Sequence, residues 1–293
     1  MVAPSRRVYQ PLIQAMNITV TAGEQEIFRD MVSERVSQRA FFGASALLFA
    51  ASVAVTIVWC GSMSAMGEMP MPGGWTMSMA WMRMPEQTWL GAAASFLGMW
   101  VVMMVAMMMP CLIPTLWRYR QAVASKCETH LSWLTVLVAG GYFFVWTLFG
   151  IVIFPAGVGL AELEMQLPAL SRTVPIAAAV VVLIAGAFQF TSLKACHLAC
   201  CREAPGRGSE LPAAGATAWR YGLRLGLHCC YCCAGLMTIL VALGVMDLRT
   251  MAVVTVAITA ERLAPGGERV ARAIGAVTVA GGFFMMVHAV GLG

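Results

Sequence analysis

Long apolar segments alternate with shorter polar ones along most of this chain. Seven of them have the length and composition of membrane-spanning helices: residues 40–60, 88–109, 131–154, 175–193, 221–246, 248–264 and 270–292. A helix needs about 20 residues to cross the hydrocarbon core of a bilayer. The sixth segment is short and follows the fifth after little more than Asp247, which indicates a helical hairpin. The pattern therefore predicts an all-α fold, a polytopic bundle of about seven transmembrane helices within residues 40–293.

The first 39 residues are more polar and lack the apolar stretch of a secretory signal peptide. Thr21 and Glu24 have the spacing of a capping box, and apolar residues recur after them at helical intervals. Residues 1–39 are therefore expected to form a cytoplasmic tail with an amphipathic helix that leads into the first span.

Basic residues are unevenly distributed between the two sets of loops. Of the 19 Lys and Arg residues, all but Arg83, Arg172 and Arg249 fall in the tail or on the same predicted side as the tail. Cytoplasmic loops carry the excess of Lys and Arg. We therefore expect the N-terminus inside and the C-terminus outside, in the inner (cytoplasmic) membrane of a bacterium.

Composition agrees with a membrane location and limits the possible functions. Hydrophobic residues make up 60% of the chain and charged residues 11%, with a mean hydropathy of +0.78; a soluble domain has roughly 25% charged residues. The net charge of +5 is too small to suggest nucleic acid, and no phosphate-binding loop or dinucleotide motif occurs. The lipid bilayer is thus the first predicted partner, and no enzymatic activity is expected.

Potential sulfur ligands are concentrated in the fifth predicted span. Six candidate ligands lie within ten residues: His228, Cys229, Cys230, Cys232, Cys233 and Met237. On a helix, Cys229, Cys233 and Met237 form a line at i, i+4 and i+8, and Cys232 lies beside it. Buried cysteines also serve as small core residues, but core packing gives no reason for such a cluster. Thiolate and thioether ligands favour a soft ion, so the segment predicts a site for Cu(I), with Ag, Hg or Zn as alternatives.

Two other segments carry further candidate ligands. The second span contains the i, i+4 methionine pairs Met103 with Met107 and Met104 with Met108, at a depth similar to that of the fifth-span cysteines. These two groups would share a site if their helices touch, although a packing ridge is the alternative. The end of the fourth span carries a third group, expected at the reducing cytoplasmic surface: Cys196, His197, Cys200 and Cys201.

The first outer loop, residues 61–87, is rich in methionine. It contains eight of them: Met63, Met66, Met69, Met71, Met77, Met79, Met82 and Met84. Thioethers need no deprotonation and form no disulfides, so they remain metal ligands in an oxidising exterior. Flexible packing of an irregular loop is the alternative interpretation.

The motifs resemble those of a bacterial family of integral membrane proteins that are predicted to bind metal, have no characterised function and are sometimes labelled copper chaperones. The resemblance covers roughly residues 88 to 265. The matching residues fall in three segments: Trp100, Met103, Ala106, Met107, Met108 and Pro110; Lys194, Cys201 and Arg202; and Gly226, Leu227, Cys229, Cys232, Cys233, Leu236, Met237, Gly244, Met246 and Glu261. His197 stands where the family has a cysteine, Tyr231 and Ala234 replace Gly and Trp, and Cys196, Cys200 and Cys230 are additional.

Together, the residues and the resemblance predict a protein that transports or hands over Cu(I) between the outer methionine-rich loop and the inner cysteines. One alternative is a non-transporting accessory or assembly subunit that holds copper for a membrane metalloenzyme. A neighbouring membrane metalloenzyme or a copper chaperone is the expected protein partner. Another alternative is a thiol oxidoreductase that uses the Cys229/Cys232 and Cys230/Cys233 pairs. The reducing side on which those pairs are expected argues against the latter.

Overall fold

The computed structural model describes residues 10–65, 67, 69–83, 87–124, 130–202 and 214–291. These residues form eight α-helices: α1 (Gln10–Ala65), α2 (Trp89–Ala124), α3 (Leu131–Gln166), α4 (Pro168–Phe188), α5 (Ser192–Arg202), α6 (Gly215–Leu243), α7 (Leu248–Leu263) and α8 (Gly267–Gly291). A short antiparallel hairpin, β1 (Met69–Met71) and β2 (Trp75–Met77), follows α1 and precedes a 3-10 turn at Met79–Trp81. The all-α prediction is therefore confirmed apart from this hairpin.

Within the described residues, six helices are long and apolar enough to cross a membrane: α2, α3, α4, α6, α8 and the Glu34–Met63 part of α1. Helix α7 has 16 residues, a length of about 24 Å, which is short of the roughly 30 Å hydrocarbon core. The chain is thus a multi-span helical membrane protein, and its described part contains six long candidate spans and the shorter apolar helix α7.

Helix α1 is continuous from Gln10 to Ala65, so it includes both the helix expected before the first span and the span itself. No proline occurs after Pro11 in this helix, so no residue blocks the backbone hydrogen bonds that join the polar and apolar parts. The chain divides into two compact units, and the boundary lies inside α1 after Leu48.

The fourth predicted segment, residues 175–193, is divided between two helices. Helix α4 ends at Phe188, and α5 begins at Ser192. The Thr191 hydroxyl donates to the carbonyl of Phe188 and accepts from the N–H of Lys194. One side chain therefore satisfies backbone groups at both helix ends, which explains the break.

Helix α7 connects the two ends of the helix bundle. Asp247 is its N-cap and accepts from the N–H groups of Arg249 and Thr250. The neighbouring Met246 sulfur lies 3.9 Å from the Cys60 thiol, near the end of α1. At the other end of α7, Glu261 forms an ion pair with Lys194 of α5. We call the end of the bundle that contains Cys60 and Met246 the α1 end, and the end that contains Lys194 and Glu261 the α5 end.

Glycines bring α3 and α6 into close contact. A Cβ at Gly222 would overlap the carbonyl oxygen of Val138, and one at Gly226 would lie 2.9 Å from the carbonyl oxygen of Tyr142. Two glycines four residues apart form a small-residue face on α6 that lets the two backbones approach. Cys229 and Cys233 continue the same helix face, so this packing brings α3 side chains within reach of the cysteines.

The hairpin is packed against the bundle at the α1 end. The Trp75 indole donates to the carbonyl of Ser171, and the Ser171 hydroxyl donates to the carbonyl of Pro72. Met71 and Met77 are buried in a small core with Ala161. At least these two methionines of the methionine-rich loop therefore have a packing role.

Candidate metal centre

Three thiols of α6 form a compact, fully buried group. The Cys233 sulfur lies 3.8 Å from that of Cys229 and 3.6 Å from that of Cys232, and all three sulfurs are within 4.8 Å of one another. Each side chain is at most 1% exposed. We refer to Cys229, Cys232 and Cys233 as the thiol triad.

The spacing of the triad suits a single metal ion. With a metal–thiolate bond of about 2.3 Å, three sulfurs around one ion are about 3.7–4.0 Å apart in tetrahedral or trigonal geometry. The separations of 3.6 and 3.8 Å lie close to those values, and the third pair, Cys229 and Cys232, is within 4.8 Å. An all-sulfur donor set favours a soft ion such as Cu(I) over oxygen-seeking Mg or Ca.

Two sulfurs from other helices extend the triad. The Cys201 thiol of α5 lies 3.7 Å from Cys232, and the Met108 thioether of α2 lies 4.0 Å from Cys229. Both side chains are buried. A continuous series of sulfurs therefore runs from Met108 through the triad to Cys201.

A buried cation and a phenol lie against the same thiols. Arg262 Nη1 of α7 donates to Cys111 Sγ at 3.2 Å and to Cys229 Sγ at 3.3 Å. The Tyr142 hydroxyl of α3 lies 2.9 Å from the Cys229 sulfur. Arg262 is 5% exposed. The site thus includes a buried positive charge that can balance thiolate charge in the protein interior.

Lys194 of α5 connects this helix to α6 and α7 next to the triad. Its ammonium donates to Glu261 Oε2 of α7 at 2.6 Å and to the carbonyl oxygen of Cys232 on α6. Lys194 and Glu261 are each 1% exposed. Because both charges are buried and paired, the ion pair fixes the position of α5 and α7 relative to the triad.

The structure brings together part of the predicted ligand set. The predicted residues Cys229, Cys232, Cys233, Cys201 and Met108 meet in one place, so the methionine and cysteine groups do share a region. Met103, Met104 and Met107 are buried elsewhere along α2, and Met237 is buried one turn beyond Cys233.

The remaining candidates lie outside the triad. His197 and His228 face each other, with their Nδ1 atoms 3.2 Å apart, and His197 stacks on Tyr231. Cys196 and Cys200 are exposed, and Cys230 is half-buried. Of the candidate ligands on α5, Cys201 is the one that lies against an α6 cysteine.

Sequence reasoning did not identify Cys111, Tyr142 or Arg262 as part of the site. Cys111 follows the methionine pairs directly in the sequence. Arg262 is a charged residue at the end of an apolar segment, and ionisable residues in such segments often have a functional role. Tyr142 has no such signal, since only the glycine-mediated approach of α3 and α6 places its hydroxyl at Cys229.

Comparisons with known proteins agree with this chemistry. No curated protein and no solved structure shows significant similarity to the chain. A family model described as copper chaperone, PpoB2, matches residues 97–285, a region that contains the thiol triad, Cys201, Met108, Cys111 and Arg262. Since the match covers more than half of the sequence, the chain belongs to the PpoB2 copper chaperone family.

Proposed function

We propose that this protein binds Cu(I) at the thiol triad and transfers it between the two ends of the helix bundle. The observation that carries the proposal is the set of three buried thiols with separations suited to one ion, in a member of a copper chaperone family. Copper is the cargo, and no catalytic role is assigned to any residue.

The series of sulfurs supports a hand-over between neighbouring ligands. Met108, Cys229, Cys233, Cys232 and Cys201 are linked by separations of 3.6–4.0 Å. An ion held by two or three of them can form a bond to the next sulfur before it loses the previous one. Thioether and thiolate both accept Cu(I), so transfer along the series needs no change of oxidation state.

The proposed topology assigns each group of ligands to one side of the membrane. We infer seven crossings with the N-terminus inside, because α7 joins the α1 end to the α5 end despite its length, and because basic residues are concentrated on the α5 side. The hairpin and its methionines then lie at the outer face and the triad in the inner half. Outer methionines would capture the ion, and the triad and Cys201 would receive it.

A competition titration tests the site. Purified, reduced protein in detergent is loaded with Cu(I) against a chromophoric chelator, and the triple variant Cys229→Ser, Cys232→Ser, Cys233→Ser is compared with wild type. Serine keeps the size but removes the soft donor, so the tightest site should be lost. The matched control is Cys196→Ser with Cys200→Ser, two exposed thiols of α5, which should leave the affinity unchanged. Equal affinity in the triple variant would exclude the triad as the site.

A second candidate function is storage of copper for a neighbouring membrane metalloenzyme without transport. The complete burial of the triad favours it, because a closed site suits retention of the ion. Uptake of Cu(I) into proteoliposomes separates the two: a transporter accumulates copper inside the vesicle over many turnovers, whereas a holder binds only a stoichiometric amount.

A further inference from the structure

A small cavity opens at the α5 end beside the sulfur series. Its volume is about 90 Å³. Two buried thiols, Cys111 and Cys201, and the buried Arg262 lie inside it, and the exposed Arg118 and Leu263 lie at its rim. Cys201 is therefore the sulfur of the series that borders this opening.

The cavity is positively charged. Among the residues that the structure describes, Arg118, Arg202 and Arg262 line it and no acidic residue does. Arg202 donates to the backbone carbonyls of Glu261 and Pro265, and Arg118 to that of Arg202. The Nε and Nη2 atoms of Arg262 are buried and have no hydrogen-bond partner within the described part of the chain. Three guanidinium groups therefore lie beside two thiols at this cavity.

We propose that this cavity is the port at which Cu(I) is exchanged with an anionic low-molecular-weight thiol. The inference rests on the proposed function and adds the exchange partner and the place of exchange. The guanidinium groups would bind the carboxylates of such a carrier, while its sulfur approaches Cys201.

The exchange is a ligand substitution at one copper ion. In the loading direction, the Cys201 sulfur forms a bond to Cu(I) and the bond between Cu(I) and the carrier sulfur breaks. The thiol proton of Cys201 passes to the departing carrier thiolate, so charge and protons balance. Copper stays Cu(I) throughout, and no oxidant or reductant is needed.

The dimensions of the cavity favour a small carrier over a folded protein. Cys111, Cys201 and Arg262 are at most 5% exposed, so a ligand must enter the cavity to reach them. A volume of about 90 Å³ admits a thiol side chain of a small molecule, whereas the rigid surface of a folded carrier would stop at the rim.

The test compares Cu(I) loading from two thiols of opposite charge. Wild-type protein is loaded by stopped flow from Cu(I)–glutathione, an anionic complex, and from Cu(I)–cysteamine, whose free thiol is cationic. We expect faster loading from glutathione and a loss of this preference in Arg118→Gln, with glutathione loading slower by at least about fivefold. The equilibrium affinity from chelator competition should not change. Arg224→Gln, an exposed arginine of α6 outside the cavity, is the control and should keep wild-type kinetics.

Each outcome has a distinct meaning. Equal loading rates from the two thiols, or an unchanged glutathione rate in Arg118→Gln, would refute the proposed exchange with an anionic thiol at this cavity. Neither result would affect the proposal that Cu(I) binds at the triad. Equal slowing in Arg118→Gln and Arg224→Gln would show a general surface potential and would also refute the proposed exchange. A protein that binds no Cu(I) from either thiol, or in the chelator titration, would refute the proposed function itself and the port with it.

Discussion

Arg262 is the residue whose chemistry is most unusual for its position. A Cu(I) ion bound by two or three thiolates has a net charge of −1 or −2, and such a charge is costly to bury without compensation. Lys194 is already paired with Glu261, so it offers little net charge. Arg262, in contact with Cys111 and Cys229, supplies the compensating positive charge.

The variant Arg262→Gln should therefore bind Cu(I) at least about tenfold more weakly, since a charge-assisted hydrogen bond contributes about 1.5–3 kcal/mol. Arg262→Lys keeps the charge and should retain part of the affinity. Chelator competition measures both. Arg249→Gln, an exposed arginine at the α1 end, serves as the control. If Arg262→Gln bound copper as tightly as wild type, the proposal that Arg262 compensates the charge of the copper–thiolate group would be wrong.

Helix α7 begins at the α1 end with a side-chain cap, Asp247. The Asp247 carboxylate accepts from the Thr250 hydroxyl and from the N–H groups of Arg249 and Thr250. The Thr250 hydroxyl and these N–H groups lower the pKa of Asp247 below its ordinary value. A pKa lowered by folding means that the ionised form stabilises the folded state above the unfolded pKa of about 4.

Asp247→Ala should reduce the stability of the protein at neutral pH by about 1 kcal/mol, the usual value of an N-cap. Asp247→Asn keeps a capping oxygen and should cost less. The difference between wild type and Asp247→Ala should shrink as the pH falls through the folded pKa, below about 4. Thermal unfolding in detergent at several pH values measures this. A difference that grew on acidification would contradict the assignment of the cap.

At the scale of elements, apolar length predicted the helices well and their junctions less well. The sixth segment, predicted at residues 248–264, corresponds to α7 at Leu248–Leu263, because Asp247 and Pro265 mark its ends. The break between α4 and α5 depends on the two hydrogen bonds of Thr191, and a single threonine in an apolar segment does not signal it. The hairpin was not expected either, although Gly73 and Gly74 adopt the positive φ angles that its turn requires.

The same limit applies to the site. The spacing of Cys229, Cys232 and Cys233 on one helix follows from the sequence alone. The side chains that α2, α3, α5 and α7 place at the site depend on which helices pack against α6. The alternation of apolar and polar segments along the sequence does not specify which helices are neighbours. The sequence therefore suggested 14 ligands, and the structure assembles five of them around one position: Met108, Cys201, Cys229, Cys232 and Cys233.

For the whole molecule, the proposed topology predicts the accessibility of both ends. In intact spheroplasts, a cysteine introduced by Pro72→Cys in the hairpin turn should react with an impermeant maleimide, and a reporter fused after Gly293 should be active outside. The exposed Cys196 and Cys200 at the α5 end should react only after the membrane is permeabilised. A reporter active inside would mean that α7 does not cross the membrane.

The central claim is that one Cu(I) ion is held by sulfur at the thiol triad. Copper K-edge X-ray absorption of the loaded protein tests it directly. We predict a Cu(I) edge and a first shell of two or three sulfur atoms at about 2.3 Å, the usual length of such metal–thiolate bonds, and loss of this shell in the triple serine variant. A first shell dominated by nitrogen or oxygen, with copper held at His197 and His228 for example, would contradict the account.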